Sequence, residues 1–314
     1  MGGLAAAILG RIAQAVLTAL VASTLVWALL PLAPGDPVLR LLDARHIVDP
    51  TDFEIAALRA ELALDQPLPL QYVHWLGRVV QGDLSTSYRT GRPVMAEIGE
   101  RVPATMLLLG TALVASIILA IALALICVAW RDRWPDRLIL FYTQIGAALP
   151  TFVFALLVLQ YVVVGAGLGR VLPQGAMALV LIPALTVAVD RAAGWTQLLR
   201  ASLIEASHAN HALVARARGA TRWRVLLHHA LPNGVLPFLT AIGVSIGALI
   251  GGSPLIEEIF TWPGVGRYVL QALSARDYPV IQGFVLLSGL AYVAASLLVD
   301  IVAMLLDPRL RRPA

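Results

Sequence analysis

Lysine is absent from this 314-residue chain; all 23 basic residues are arginine. That absence excludes a Walker A phosphate loop, which needs its lysine, and any enzyme that forms a Schiff base through a side-chain amine. Cysteine occurs once, as Cys127 inside an apolar run, so there is no intrachain disulfide and no CxxC pair for redox or metal chemistry. Charge is scarce too: 13% of residues are charged and 59% hydrophobic, with a mean hydropathy of +0.81. Soluble domains carry roughly 25% charged residues, so the composition belongs to an integral membrane protein. The pI of about 9.6 then reports how arginine is distributed across a bilayer, and nucleic acid is not needed to explain it.

What is present is long apolar sequence. A hydrocarbon core of about 30 Å takes roughly 20 helical residues, and the windows at 12–33, 104–130, 138–164, 174–199, 234–256 and 281–306 meet that length. The sequence therefore predicts an all-α membrane protein with six transmembrane helices. The first window is too long for a signal-peptide core and is followed by more spans, so it stays as an anchor. Arg11, Arg131, Arg133, Arg137, Arg200, Arg216, Arg218, Arg222, Arg224, Arg309, Arg311 and Arg312 fall on one side, against Arg170, Arg267 and Arg276 in the short loops opposite. The positive-inside rule puts both termini in the cytoplasm. Three regions follow: 1–34 with the first span, an extracytoplasmic helical segment at 35–103, and a five-span core at 104–314. The core contains a cytoplasmic loop at 200–233 and an extracytoplasmic segment at 251–280. In the outer segment, Thr51 and Glu54 form a capping box ahead of a helix that ends before Pro67, and a second helix runs through "LQYVHWLGRVV".

Chemistry-bearing patterns are few. "GVSIG" at 243–247 has the letters of a nucleophile elbow, which needs a strand, a sharp turn and a helix; here it lies inside a span. Gly243, Gly247 and Gly251, four residues apart, read as a small-residue face for close helix packing. Charges within a span are costly and face a cavity or a partner. Asp190 and Arg191, with Gln144, are candidates for a polar path or a structural pair, and Asp300 reads as a polar contact near a helix end. His46, His74, His208, His211, His228 and His229 form no HxxxH or HExxH set within a span, so no metal site is expected, nor any cofactor. The loop 200–233 sets arginines among Leu213, Val214, Ala217 and Val225, with Gly219 between two short helices. Such a basic amphipathic segment rests on anionic lipid headgroups or fills a groove on a soluble partner.

"ARARGATRWRVLLHHALPN" resembles the cytoplasmic coupling loop of ABC importer permeases, in the branch that carries dipeptides, oligopeptides and nickel. Gly219 leads to Leu231 and Pro232 at the family's interval. "PGDPV" (34–38), "ALDQPLPLQYVHWL" (63–76), "GDLSTSYRTGRPV" (82–94), "RVPATMLLL" (101–109), "GGSPLIEEIFTWPGVGRYVLQALSARDYPVIQGF" (251–284) and "LDPRLRR" (306–312) follow in the family's order. The sequence departs from the family where Leu213, Val214 and Ala215 replace an acidic residue and two alanines. His211 replaces a common tyrosine, and Arg218 a lysine. The resemblance implies a type I ABC importer permease fold in the bacterial inner membrane. It implies a non-catalytic subunit that pairs with a second permease, docks two cytoplasmic ATPases and receives peptide, or nickel as a chelate, from a binding protein. It also assigns ATPase coupling to a short helix within 208–219, with His211, Ala215, Arg216, Ala217, Arg218 and Gly219, and with Pro232 at the entry to the next span. A self-contained ion-coupled transporter relying on Asp190 is the competing reading; it would show two related halves, and no such repeat is present.

Overall fold

Proline and glycine set the breaks in a chain that is otherwise strongly helical. The computed structural model describes residues 2–32, 35–44, 47, 49–61, 63–165 and 180–306, without side chains at 2–7, 37, 40, 43, 44, 61, 300 and 302–306. Its helices are α1 (Gly2–Leu32), α2 (Pro37–Ala44), α3 (Asp52–Glu61), α4 (Leu68–Val80), α5 (Val94–Ala129), α6 (Trp134–Ala148) and α7 (Thr151–Leu157), the last continuing as a π-helix over Val158–Val164. After it come α8 (Leu181–His208), α9 (Asn210–Ala217), α10 (Arg222–Val225), a π-helical stretch Leu226–Ala230, α11 (Leu231–Ile259), α12 (Val265–Ser274) and α13 (Tyr278–Leu306). The sole β pairing among the described residues is an isolated bridge between Thr86 and Pro93.

Among the described residues, four stretches are long and apolar enough to cross a bilayer: Ile8–Leu32, Val94–Ala129, Arg222–Ile259 and Tyr278–Val299. The span predicted at 138–164 is not one straight helix. It breaks at Leu149 and Pro150, and the two arms meet at 108°, so the pair forms a fifth span or a re-entrant hairpin. Pro150 has no N–H to donate and forces the residue before it out of the α region; Leu149 accordingly lies extended at φ −94°, ψ 125°. Of the window predicted at 174–199, residues 174–179 lie outside the described residues. The remainder belongs to α8, where Asp190 and Arg191 lower the mean hydropathy. Arg170 and the closing segment 307–312 also lie outside the described residues.

The helices group into two compact units. The first holds residues 1–103 and 263–297. Here Ser23 Oγ lies 2.9 Å from Tyr72 Oη, Thr24 Oγ1 donates to the same oxygen at 3.1 Å, and Gln282 Nε2 donates to the Val26 carbonyl at 3.2 Å. Two carboxylates are fully buried in this unit. Asp277 accepts from Ser87 Oγ at 2.5 Å and from the backbone N–H groups of Tyr88 (3.1 Å) and Arg89 (3.3 Å). Glu97 accepts from Tyr268 Oη and from Thr90 Oγ1. Burial and this carboxylate together push the Tyr268 phenol well above its ordinary pKa. At α3, Thr51 N and Oγ1 each donate to Glu54 Oε2 at 2.8 Å and Glu54 N donates back to Thr51 Oγ1 at 3.3 Å, a complete capping box.

The second unit holds residues 104–262 and 298–314. Within a bilayer, helices associate through close packing more than through water exclusion, and small residues mark the contacts. A Cβ at Gly146 would stand 2.5 Å from Ala193 Cβ, and one at Gly234 3.2 Å from Leu203. Trp195 meets Phe238 edge-on at 5.6 Å between ring centres. Asp136, 1% exposed, receives Arg200 Nε and Nη2 at 2.8 Å each and the Asp132 N–H at 3.0 Å, tying the start of α6 to α8.

Candidate functional site

Two places in the second unit concentrate polar groups. The first is a cavity of about 610 Å³ built where α6 breaks. The bend at Pro150 lets Thr151 begin α7 beside α8, and Thr151 Oγ1 donates to Asp190 Oδ2 at 2.9 Å. Asp190 and Arg191 line this cavity together with Gly146, Trp195 and Ser245, and Trp195 Nε1 donates to Ser245 Oγ at 3.2 Å. Arg191 also lines a neighbouring, mostly apolar cavity of about 170 Å³ beside Leu108, Val187 and Ser253. Its Nε is buried and has no hydrogen-bond partner among the described residues. Orphaned polar groups at such depth are rare unless a ligand or another chain supplies the partner. The arrangement offers opposite charges on adjacent residues beside aromatic and hydroxyl groups, with no nucleophile–base pair among its lining residues.

Of the three residues proposed for a polar path, the structure brings Asp190 and Arg191 together; Gln144 is exposed on α6 and is not among the lining residues. The side chain of Asp300 lies outside the described residues. Thr151, Trp195 and Ser245 were missed by sequence reading. Pro150 was the available signal for Thr151, because a proline inside an apolar window marks a break; nothing in the sequence places Ser245 opposite Trp195.

The second place is the arginine-rich loop. In α9, Ala212 and Ala215 are buried against Val225, while His211, Leu213, Val214, Arg216, Ala217 and Arg218 are exposed. The helix ends in a Schellman motif: the Gly219 N–H donates to the Arg216 carbonyl at 2.9 Å and the Ala220 N–H to the Ala215 carbonyl at 3.0 Å. Gly219 carries the positive φ, +85°, that this cap requires. Thr221 then caps α10, accepting from Arg224 N at 3.3 Å. Pro232 lies within the continuous helical run Arg222–Ile259, directly after the π-helical stretch, where its missing N–H leaves the preceding turn one backbone bond short. Beside it, Asn233 Nδ2 donates to the His229 carbonyl at 2.7 Å and lies 3.5 Å from His211 Nε2.

The glycines of α11 divide. A Cβ on Gly243 would drive into Val299 of α13, with Cβ of that valine 2.8 Å away, whereas one on Gly251 would meet nothing within 4 Å. Gly247 is half-buried.

Known proteins with this pattern are transport subunits. Residues 112–312 match the family model described as binding-protein-dependent transport system inner membrane component, and residues 5–109 match the model for its N-terminal membrane component. The glutathione transport system permease protein GsiC of Salmonella typhimurium (strain LT2) is 34% identical over 306 residues, covering 97% of this chain and 98% of its own. GsiC of Escherichia coli (strain K12) matches at the same identity and coverage. A solved structure, described as an amino acid ABC transporter with histidines, aligns with a TM-score of 0.50 at 17% identity, over 68% of this chain and 94% of the other. That likeness speaks to the fold alone. With both family models in chain order and relatives matched over nearly their full length, the chain belongs to the binding-protein-dependent inner membrane components, as a multi-pass ABC importer permease of the peptide and nickel branch.

Proposed function

We propose that this permease carries short peptides, of a size class that includes the tripeptide glutathione, through a path lined by Asp190 and Arg191. The carrying observation is the adjacency of one acid and one arginine, the latter with a buried Nε that has no hydrogen-bond partner among the described residues, in a cavity of about 610 Å³. A peptide is a zwitterion: its ammonium suits Asp190 and its carboxylate suits the guanidinium. Among the described residues no three His, Cys, Asp or Glu side chains gather as metal ligands, which favours peptide over bare nickel as cargo. The name carried by the 34% identical relatives, glutathione transport, points to the same class.

In this reading six spans place both termini in the cytoplasm, and the wall of the path opposite Asp190 comes from a second, related permease. A binding protein delivers cargo to the outer segments 35–103 and 251–280. One of two cytoplasmic ATPases seats α9 in a groove through His211, Leu213, Val214, Ala217 and Arg218, and closure of the ATPase pair moves α9 as a rigid body against α11 through Gly219 and Pro232. The chain itself performs no covalent chemistry. The test is ATP-dependent uptake into vesicles holding this chain with its partner subunits, offering labelled di- and tripeptides and nickel in parallel. Peptide uptake that stops without ATP, and falls in Asp190→Asn and Arg191→Gln, is expected. Uptake driven by a proton gradient alone, or of nickel alone, would overturn the proposal.

A further inference from the structure

The arginines of the loop do not all face the same way. Arg216 is exposed, but it follows the buried Ala212 by one helical turn and so stands at the edge between the buried side of α9 and the side that shows Leu213. There it lines a cavity of about 450 Å³ with Arg131, Arg222 and His208, walled by Val128, Ile204, Val225 and Leu226. No carboxylate lines this cavity. Of the nearby acids, Asp136 is taken by Arg200, Asp132, 84% exposed, lies 3.7 Å from Arg131, and Glu205, exposed on α8 beside Ile204, is not among the lining residues. Arg222 Nη2 donates to the Val128 carbonyl at 3.0 Å, which leaves four of its five N–H groups uncommitted. The guanidinium of Arg216 makes no hydrogen bond or ion pair among the described residues. Three exposed guanidiniums line one cavity with a single acid, Asp132, beside one of them, and an anion that joined them would offset their mutual repulsion.

Two further features indicate which anion. The cavity wall is half apolar, and beside it Trp130 and Trp223 meet edge-on at 5.9 Å while remaining 40% and 47% exposed. Trp134, 76% exposed, lies at the same end of the helices. Exposed tryptophans at a helix end mark the headgroup level of a bilayer, where ring and N–H are each satisfied. We infer that Arg131, Arg216 and Arg222 form a site for the phosphate of an anionic phospholipid, with its glycerol against Val128, Ile204 and Leu226. The inference rests on the cytoplasmic assignment of the loop above. It divides the loop between two ligands: the outer face of α9 meets the ATPase, and the inner basic cavity holds a lipid that links α9 to the ends of α5 and α8. Basic cavities between helices on the cytoplasmic side suit such headgroups.

The experiment places the full-length chain, with its co-purifying subunits, in phosphatidylcholine nanodiscs containing photoactivatable phosphatidylglycerol or photoactivatable phosphatidylcholine. Crosslinked peptides are then mapped by mass spectrometry. Phosphatidylglycerol should label 128–131 and 216–226, about fivefold less in Arg216→Gln, the effect of one arginine near a charged surface. Arg216→Gln breaks no bond in the structure, so it keeps the fold, and Arg218→Gln, outside the cavity, should label normally. Equal labelling by phosphatidylcholine, or an unchanged Arg216→Gln, refutes the site. Displacement by millimolar inorganic phosphate refutes the lipid and leaves a free-phosphate site; labelling that vanishes whenever the ATPases are attached shows acidic ATPase residues in its place and also refutes it. Peptide uptake assayed on the same preparation fails separately from labelling, so loss of uptake with labelling intact strikes the transport reading alone.

Discussion

Replacing Gly219 separates backbone geometry from size. Its φ of +85° lies where an L side chain is strained, yet a Cβ built there meets nothing within 4 Å. The penalty is therefore dihedral, about 1–2 kcal/mol for a residue with a Cβ, and larger for a β-branched one. If the chain avoids that strain by leaving the left-handed region, both bonds of the Schellman cap go with it, releasing the Ala215 and Arg216 carbonyls. The eight residues of α9 fall well short of the roughly 12–15 needed for an isolated helix to persist in water, so the cap and the small contact of Ala212 and Ala215 with Val225 are what hold it. Each 1.4 kcal/mol or so lost shifts the balance from formed to frayed α9 about tenfold. Gly219→Val should abolish ATP-driven uptake and uncouple ATPase activity from binding protein while the protein still inserts and co-purifies. Gly219→Asn, which tolerates the left-handed region, should retain most activity. The assay is uptake and binding-protein-stimulated ATPase rate in the same vesicles. Equal failure of Asn and Val would refute the dihedral argument and indicate that bulk at this position meets the partner; normal coupling in Gly219→Val would refute the role of the cap altogether.

Removing Arg200 as Arg200→Ala strands a buried Asp136 carboxylate and should lower stability by about 3–5 kcal/mol, read as a fall in the thermal midpoint of the detergent-solubilised chain. Gly243→Leu should destabilise by about 1–3 kcal/mol through overpacking against Val299, whereas Gly251→Ala should leave the midpoint unchanged. If Gly251 faces the second permease, Gly251→Leu will show instead as reduced co-purification. The Glu54 carboxyl is held below its ordinary pKa by the Thr51 backbone N–H and then its hydroxyl. Its contribution is present above the unfolded pKa and lost as pH falls through the folded one, so the protection factors for amide exchange across 52–61 should fall below about pH 4.5 and stay flat there in Glu54→Gln.

How much of this was legible beforehand varies by the range of the interaction. The capping box of Thr51 and Glu54 and the turn at Gly219 are local, set by residues three or four apart, and both can be read from letters alone. The sharp break at Pro150 was written in the sequence yet masked by the apolar run on either side, since hydropathy counts residues and does not see a missing N–H. Asp136 reads as an ordinary loop acid because its partner, Arg200, is 64 positions away. Likewise Arg216 looks equivalent to Arg218 until the buried face of α9 is known. Charge counting treated all the arginines as topological signals; the structure gives Arg200 an ion pair and Arg216 and Arg222 a shared cavity.

The π-helical stretch Leu226–Ala230 gives the loop a further property. A π turn holds an additional residue relative to α-helical winding, and each residue of an α-helix turns about 100°. Deleting one residue between Gly219 and Pro232 would let this stretch relax to α-helical winding and leave α11 at its angle to α9, whereas deleting a second would find no such slack and turn all of α11 by over a quarter turn. Gly243 would swing away from Val299 and Ser245 away from Trp195. The interval from Gly219 to Pro232 is thus an angular setting as much as a length, with slack for the loss of one residue and none for the loss of two.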